Sequence, residues 1–297
     1  MKYMIFLVLL SVCYTVNAQD LDKILEEESP VSSNVVLGTF NGTRLLNGHS
    51  VETRKKGILE FLIQHRFGTL NSGFDELFGL DQSNIRFGFE YGLTDDLTIA
   101  LGRSSFQKTF DGYIKYRLLK QKSGENAFPV SLTVFGSAAV KTIKDYEPDD
   151  KPDFVDRMAY TTQIMLARKF NQNFSLQLTP SYVHFNSSPT TEDPNDIFSL
   201  GVGARVKISN RVSLNGEYYY TVNPFESVNT KDALAIGVDI ETGGHIFQLI
   251  FTNSRSMIEK GFIAETTGDF FDGDIHFGFN ISRAFQIVKP KENEKMF

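Results

Sequence analysis

Ionisable and amide side chains fall two or four residues apart through much of this 297-residue chain: Glu60, Gln64 and Arg66; Arg86 and Glu90; Lys115 and Arg117; Arg205 and Lys207; Asp239 and Glu241; His276 and Asn280. Gln163, Lys169 and Glu217 stand in similar surroundings. An even spacing puts such residues on one face of an extended strand. Both signs of charge occur, so one chemistry open to that face is a polar path lined by fixed charges, with selectivity set by their arrangement. The same residues also suit a salt-bridged interior, because charges held against a low-dielectric wall must be paired or hydrated.

Hydrolytic chemistry has thinner support. Of the five histidines, His65, His184 and His245 stand among outward apolar residues near strand ends, His276 on the polar face and His49 upstream. Ser72, Ser254 and Ser256 lie in loops from which a serine could meet His65 or His276. A triad is defined by geometry, and no motif here fixes one. No two histidines fall at metal-ligand spacing. The acidic stretches 144–156, KDYEPDDKPDFVD, and 270–274, FFDGD, miss the spacing of a calcium loop and read as solvated. No catalytic residue, metal or cofactor is expected.

The elements that carry these residues read as strands. Leu59, Phe61, Ile63, His65 and Phe67 oppose Glu60, Gln64 and Arg66; Ile85, Phe87, Phe89, Tyr91 and Leu93 oppose Arg86, Gly88, Glu90 and Gly92. Twelve such segments are expected near 57–67, 84–93, 97–105, 108–119, 128–141, 158–170, 174–185, 196–208, 211–221, 233–242, 245–253 and 274–286. Their connections alternate. Tight turns at 94–96, 171–173, 209–211 and 241–244 take turns with long polar loops at 68–83, 142–157, 186–195, 221–232 and 253–273. The connections at 104–108 and 120–127 blur the contrast. Short turns on one side and long loops on the other are the pattern of an up-and-down antiparallel barrel spanning a membrane, and an even strand number returns both termini to one side.

Aromatic residues gather toward strand ends, among them Phe67, Tyr91, Phe110, Phe128, Tyr160, Phe170, Tyr182, Phe198, Tyr218, Tyr220 and Phe285, as interfacial girdles require. Inward small residues such as Gly88, Gly102, Gly201, Gly203 and Gly237 leave room for a channel, a ligand or an inserted segment, with strand curvature the plainer reading.

Export is written at the start. Residues 1–18, MKYMIFLVLLSVCYTVNA, combine Lys2, a short apolar run and a small-residue pattern, so cleavage is expected after Ala18. The only cysteine, Cys13, lies within that segment, which leaves the mature chain without disulfides or thiolate chemistry. A formal charge of −6 gives no case for nucleic acid. Residues 19–56 form a periplasmic lead-in with a possible short helix at 21–28 and a hairpin at 35–47 built on Asn41-Gly42. The runs beside that turn are too short to span, so the hairpin is placed inside the barrel or at its rim; spliced into the sheet it would make fourteen strands. The barrel occupies 57–287, and 288–297 is a charged periplasmic tail.

The runs TRLLNGHSVET (43–53), LEFLIQHRFG (59–68), GGHIFQLIFTNS (243–254) and GDIHFGFNISRAFQI (273–287) resemble an uncharacterised family of Bacteroidetes-type outer-membrane β-barrels, a domain of unknown function. The resemblance implies an outer-membrane barrel and supplies no catalytic residues. The expected surroundings are outer-membrane lipid and, during biogenesis, the barrel-assembly machinery. The reading that follows is a channel or transporter for small polar solutes. Its alternative is a non-conducting barrel that binds a partner through its loops or hairpin, and a membrane-embedded lipid hydrolase ranks third.

Overall fold

The computed structural model describes residues 35–124, 127–143 and 152–288. The signal peptide, its cleavage site after Ala18, the 21–28 helix, most of the acidic 144–156 loop and the tail from 289 onward lie outside the described residues. Twelve strands follow: β1 Ile58–Thr69, β2 Ser83–Gly92, β3 Leu97–Ser104, β4 Phe110–Leu119, β5 Ser131–Val140, β6 Met158–Lys169, β7 Phe174–Phe185, β8 Asp196–Lys207, β9 Val212–Thr221, β10 Ala233–Thr242, β11 His245–Thr252 and β12 His276–Gln286. Each pairs with its neighbours in chain order, and β1 pairs antiparallel with β12 from Ile58↔Gln286 to Thr69↔His276. The barrel is closed and leaves no free edge.

Burial along the strands is inverted relative to a water-soluble sheet. On β1 the buried positions include Glu60, Gln64 and Arg66, while Phe61, Ile63, His65 and Phe67 between them are partly exposed. Leu101, Ile114, Leu200, Leu214, Ile236 and Leu249 stand exposed on other strands. Apolar residues outside and polar residues inside suit a wall that meets hydrocarbon. Ten of the twelve strands run to 10–12 residues, long enough to cross it when tilted. Most of the rings placed in the girdles are exposed at or beside the strand ends, Phe67 and Tyr91 being half-buried, and the Tyr182 hydroxyl donates to the Asp196 carboxylate at the loop end, 2.6 Å away. At the turn end, β10 and β11 join through Gly243 and Gly244, the latter at φ +100°, a conformation that favours glycine.

Two segments leave the wall and enter the lumen: the hairpin, which the sequence places inside the barrel or at its rim, and a connection that it reads as a long polar loop. Residues 39–51 are buried almost throughout but add no strand to the sheet, so the fourteen-strand alternative is not realised. Their reversal falls at 45–48, where Leu45 N–H donates to Gly48 O at 2.9 Å and Arg44 pairs with His49, and not at Asn41-Gly42. The Asn41 amide is used elsewhere, reaching Ser213 Oγ at 3.3 Å and Asp239 Oδ2 at 3.4 Å on the wall. The connection between β11 and β12 is the second segment. Instead of standing in solvent as a polar loop, it folds back into the mouth and forms a short helix, α1 Glu259–Ala264, all of it buried. Met257, Ile258, Phe262 and Ile263 supply the apolar surface that drives this.

Candidate functional site

The lumen is a cradle for the hairpin. Non-helical backbone at membrane depth is tolerated only where protein satisfies its polar groups. Here lumen side chains do so one by one. Glu217 on β9 accepts the backbone N–H of Asn47 at 2.7 Å and of Gly48 at 3.2 Å, holding the turn through a carboxylate. Gln248 donates to Leu45 O at 2.7 Å, Asn280 to Leu46 O at 2.9 Å and Gln177 to His49 O at 2.8 Å. Lys115 donates to Thr43 O, Thr133 to Val51 O, and Arg205 to the carbonyls of Gly38 and Thr39. Arg66 reaches the Asn47 side chain at 2.8 Å.

Shape matches these bonds. A Cβ on Gly203 would lie 2.5 Å from Leu45 Cδ1, and one on Gly237 would lie 2.5 Å from the Leu249 carbonyl oxygen on the next strand and 2.6 Å from Leu46 Cδ2. The two inward glycines are therefore the holes that receive the two leucines of the turn. Gly201 makes way for the Tyr219 ring, and Gly102 for the Arg86 guanidinium. Room for an inserted segment or a large neighbour, rather than strand curvature alone, accounts for these positions.

Buried charges tie the layers together. Glu259 at the start of α1 accepts Arg44 Nη1 at 3.0 Å, and His49 Nε2 lies 3.1 Å from the same oxygen. The hairpin entering from the turn end thus meets the helix entering from the loop end at one carboxylate. On the wall, Arg86 forms a bidentate pair with Asp111 and donates to Gln64 at 2.8 Å, and Tyr113 donates to Glu90. Arg54 Nε stands 2.8 Å from Glu60. At the turn-end rim Arg117 pairs with Glu52 at 3.2 Å and Asp96 at 3.1 Å, and Lys120 joins Asp96 at 2.8 Å. Burial is the largest single influence on the Asp96 carboxyl and raises it, but the hydrogen bonds and charges of Lys120 and Arg117 together outweigh burial and hold the group below its ordinary range.

Of the residues read as lumen-lining, Glu60, Gln64, Arg66, Arg86, Glu90, Lys115, Arg205, Glu217, Asp239 and His276 are buried inside the barrel. Arg117 and Lys207 are half-buried near the turn-end rim, and Glu241 is exposed there. Sequence reasoning passed over Asp111, Tyr113, Gln177 and Gln248, which share the inward parity and were findable by it. It also passed over Arg44 and Glu259, whose neighbours show no strand alternation. The three loop serines do not meet a histidine: Ser72, Ser254 and Ser256 each donate to a backbone carbonyl, and His276 Nδ1 lies 2.9 Å from Phe67 O.

Among solved structures the chain is similar to the NanC porin, with 7% identity, 77% of this chain and 100% of that chain covered and a TM-score of 0.48. It is similar to the KdgM porin at 6% identity, with 77% and 99% covered and a TM-score of 0.45. A third similarity is to the COG4313 outer membrane channel from Pseudomonas putida F1, at 12% identity, 79% and 98% covered and a TM-score of 0.45. No curated protein matches the chain. The family described as "Membrane bound beta barrel domain (DUF5777)" matches residues 40–285, from the hairpin into the last strand, and the chain belongs to that family.

Proposed function

We propose that the protein is an outer-membrane channel for small polar solutes whose barrel, in this state, is filled from both ends. The observation that carries the reading is the nature of the cradle. The hairpin's polar groups are held by side-chain hydrogen bonds from Glu217, Gln248, Asn280, Gln177 and Arg205. Exchanging such a bond for water costs only about 0.5–1.5 kcal/mol net between neutral groups, and about 1.5–3 kcal/mol where one partner is charged, as at Glu217 and Arg205. A polar plug in a polar cradle can therefore leave, and the wall it uncovers is one that water and small solutes wet. Short turns, both ends of the barrel and the hairpin fall on one side, which supports a periplasmic position for the plug.

The second reading, a non-conducting barrel, draws on the apolar cluster that joins α1 to the wall: Phe262, Ile263 and Ala264 with Tyr219, Ile197 and Val183. Neither reading assigns catalysis. Planar-bilayer recording separates them. Intact protein should be silent or nearly so, and a folded variant that lacks 35–52 and has 255–267 replaced by a short flexible linker should give discrete conductance steps. A correctly folded, heat-modifiable barrel that stays silent without both segments would overturn the channel reading.

A further inference from the structure

A second cavity lies at the loop end, beyond α1 and apart from the hairpin cradle. It has a volume of about 440 Å³, within the range of roughly 300–1,000 Å³ typical of small-molecule sites. Its apolar wall is built from Phe185 and Phe225, both buried and packed edge to face at 5.1 Å, with Met158 and Val228 beside them. On the polar side stands Lys260 of α1. Its ammonium lies over the Phe185 ring at 5.8 Å from the centroid, donates to both Glu265 oxygens at 2.8 Å, and donates to Gln107 Oε1 at 2.9 Å.

Gln107 is itself unusual. It and Lys108 adopt φ values of +52° and +48°, left-handed conformations that are uncommon for residues other than glycine. The strained turn is held by Ile143 N–H donating to Gln107 O at 3.1 Å and by Thr142 Oγ1 donating to Lys108 O at 2.5 Å. Strain of this kind costs on the order of 1–3 kcal/mol and concentrates at ligand sites. What it achieves here is to aim an amide at Lys260. Among the described residues its lining carries Lys141, Arg157 and Lys260 against Asp156 and Glu265.

We infer that this outer vestibule is a binding site for a small amphipathic carboxylate, with its apolar body against Phe185 and Phe225 and its carboxylate on Lys260 in place of Glu265. The exchange conserves charge at Lys260: one carboxylate replaces another, and the Glu265 side chain turns toward solvent, where it is already partly exposed. The site is independent of the channel reading, since it needs only the closed barrel described here. Lys260 also follows Glu259, the residue that grips Arg44, so an occupant would touch the segment that meets the hairpin.

The test is isothermal titration of the full-length protein in lipid nanodiscs with phenylbutyrate, using empty nanodiscs as the blank and neutral phenylbutyramide as the comparison. Saturable binding near one equivalent is expected, with the amide weaker by about tenfold or more, as loss of one charge-assisted contact implies. Lys260→Met should weaken phenylbutyrate to a similar degree. Val228→Trp, at a side chain already exposed, should block the cavity without touching the lysine and keeps the test open if the Lys260 variant folds poorly. Equal binding of acid and amide, binding indifferent to both substitutions, or no saturable binding to the folded barrel would each overturn the proposal. No current is recorded, so a silent channel and an empty vestibule are separate failures.

Discussion

At the scale of single residues, the lumen is organised by pairs in which one partner is defined by what it lacks. Gly203 faces Leu45, and the side chain that glycine omits is the space the leucine fills. Gly203→Ala should overpack that contact and weaken hairpin docking by about 1–3 kcal/mol, the usual cost of forcing extra atoms into a packed site. Leu45→Ala alone should also weaken docking, by leaving a cavity. The pair of substitutions together should recover part of the loss, because each removes what the other offends. Hydrogen exchange of the 43–51 amides reads all three variants. Simple additivity in that cycle would show that the two residues are not a fitted pair. Only part of this was legible beforehand: alternation assigns Gly203 to the inside and leaves room there for an inserted segment, but which leucine it receives depends on a chain reversal that Asn41-Gly42 advertised in the wrong place.

At the scale of elements, the strands were the most legible part of the molecule and the inserted segments the least. A strand betrays itself by a period of two residues, and every one of the twelve does so within its own sequence. The hairpin and α1 have no such signature, because their partners are far away: Arg44 and Glu259 are 215 residues apart. That meeting point carries a pH dependence. His49 is enclosed by Tyr113 and Phe135, whose ring centroids lie 4.6 Å and 4.5 Å away. Arg44, Lys115 and Arg86 face it as cations, and Glu90 and Glu259 as carboxylates. Burial above all, then Arg44 and Lys115, hold its pKa well below the ordinary value of 6.5, with Glu90 opposing. A lowered pKa in the docked state means that the undocked hairpin takes up the proton first. Docking is therefore fully supported above about pH 6.5 and loses support as pH falls below it. Corrected for the intrinsic chemical rate, which itself slows as pH falls, the hairpin amides should show an excess of opening at about pH 5.5 over about pH 7.5. His49→Gln should abolish that excess, and a variant that kept it would assign the effect to another group.

At the scale of the whole molecule, the barrel carries two closures of different character. The hairpin is held by side-chain hydrogen bonds along its length beside two small apolar clusters, Phe40, Leu45 and Val51 with Ala167 and Leu46 with Ala235 and Ile250, whereas α1 is packed through Phe262 against Tyr219, with ring centroids 4.9 Å apart, and through the larger buried cluster around it. Polar contacts exchange with water at little net cost, while burying a side chain such as Phe contributes roughly 1.5–3 kcal/mol, so the two should not release together. The carboxylate of Glu259 is a joint between them, but α1 keeps its apolar anchorage when Arg44 is gone. Deletion of 35–52 alone should therefore leave α1 seated and give small, irregular currents. Replacing 255–267 alone should leave the hairpin held by Glu217 and Gln248 and give a barrel that stays nearly silent. Only the variant altered at both segments should conduct steadily. Bilayer recordings of the three variants, with folding checked by heat-modifiable mobility, test this order. Steady full conductance after removal of the hairpin alone would mean that α1 is no seal, and that the apolar cluster at the loop end braces the wall without closing it.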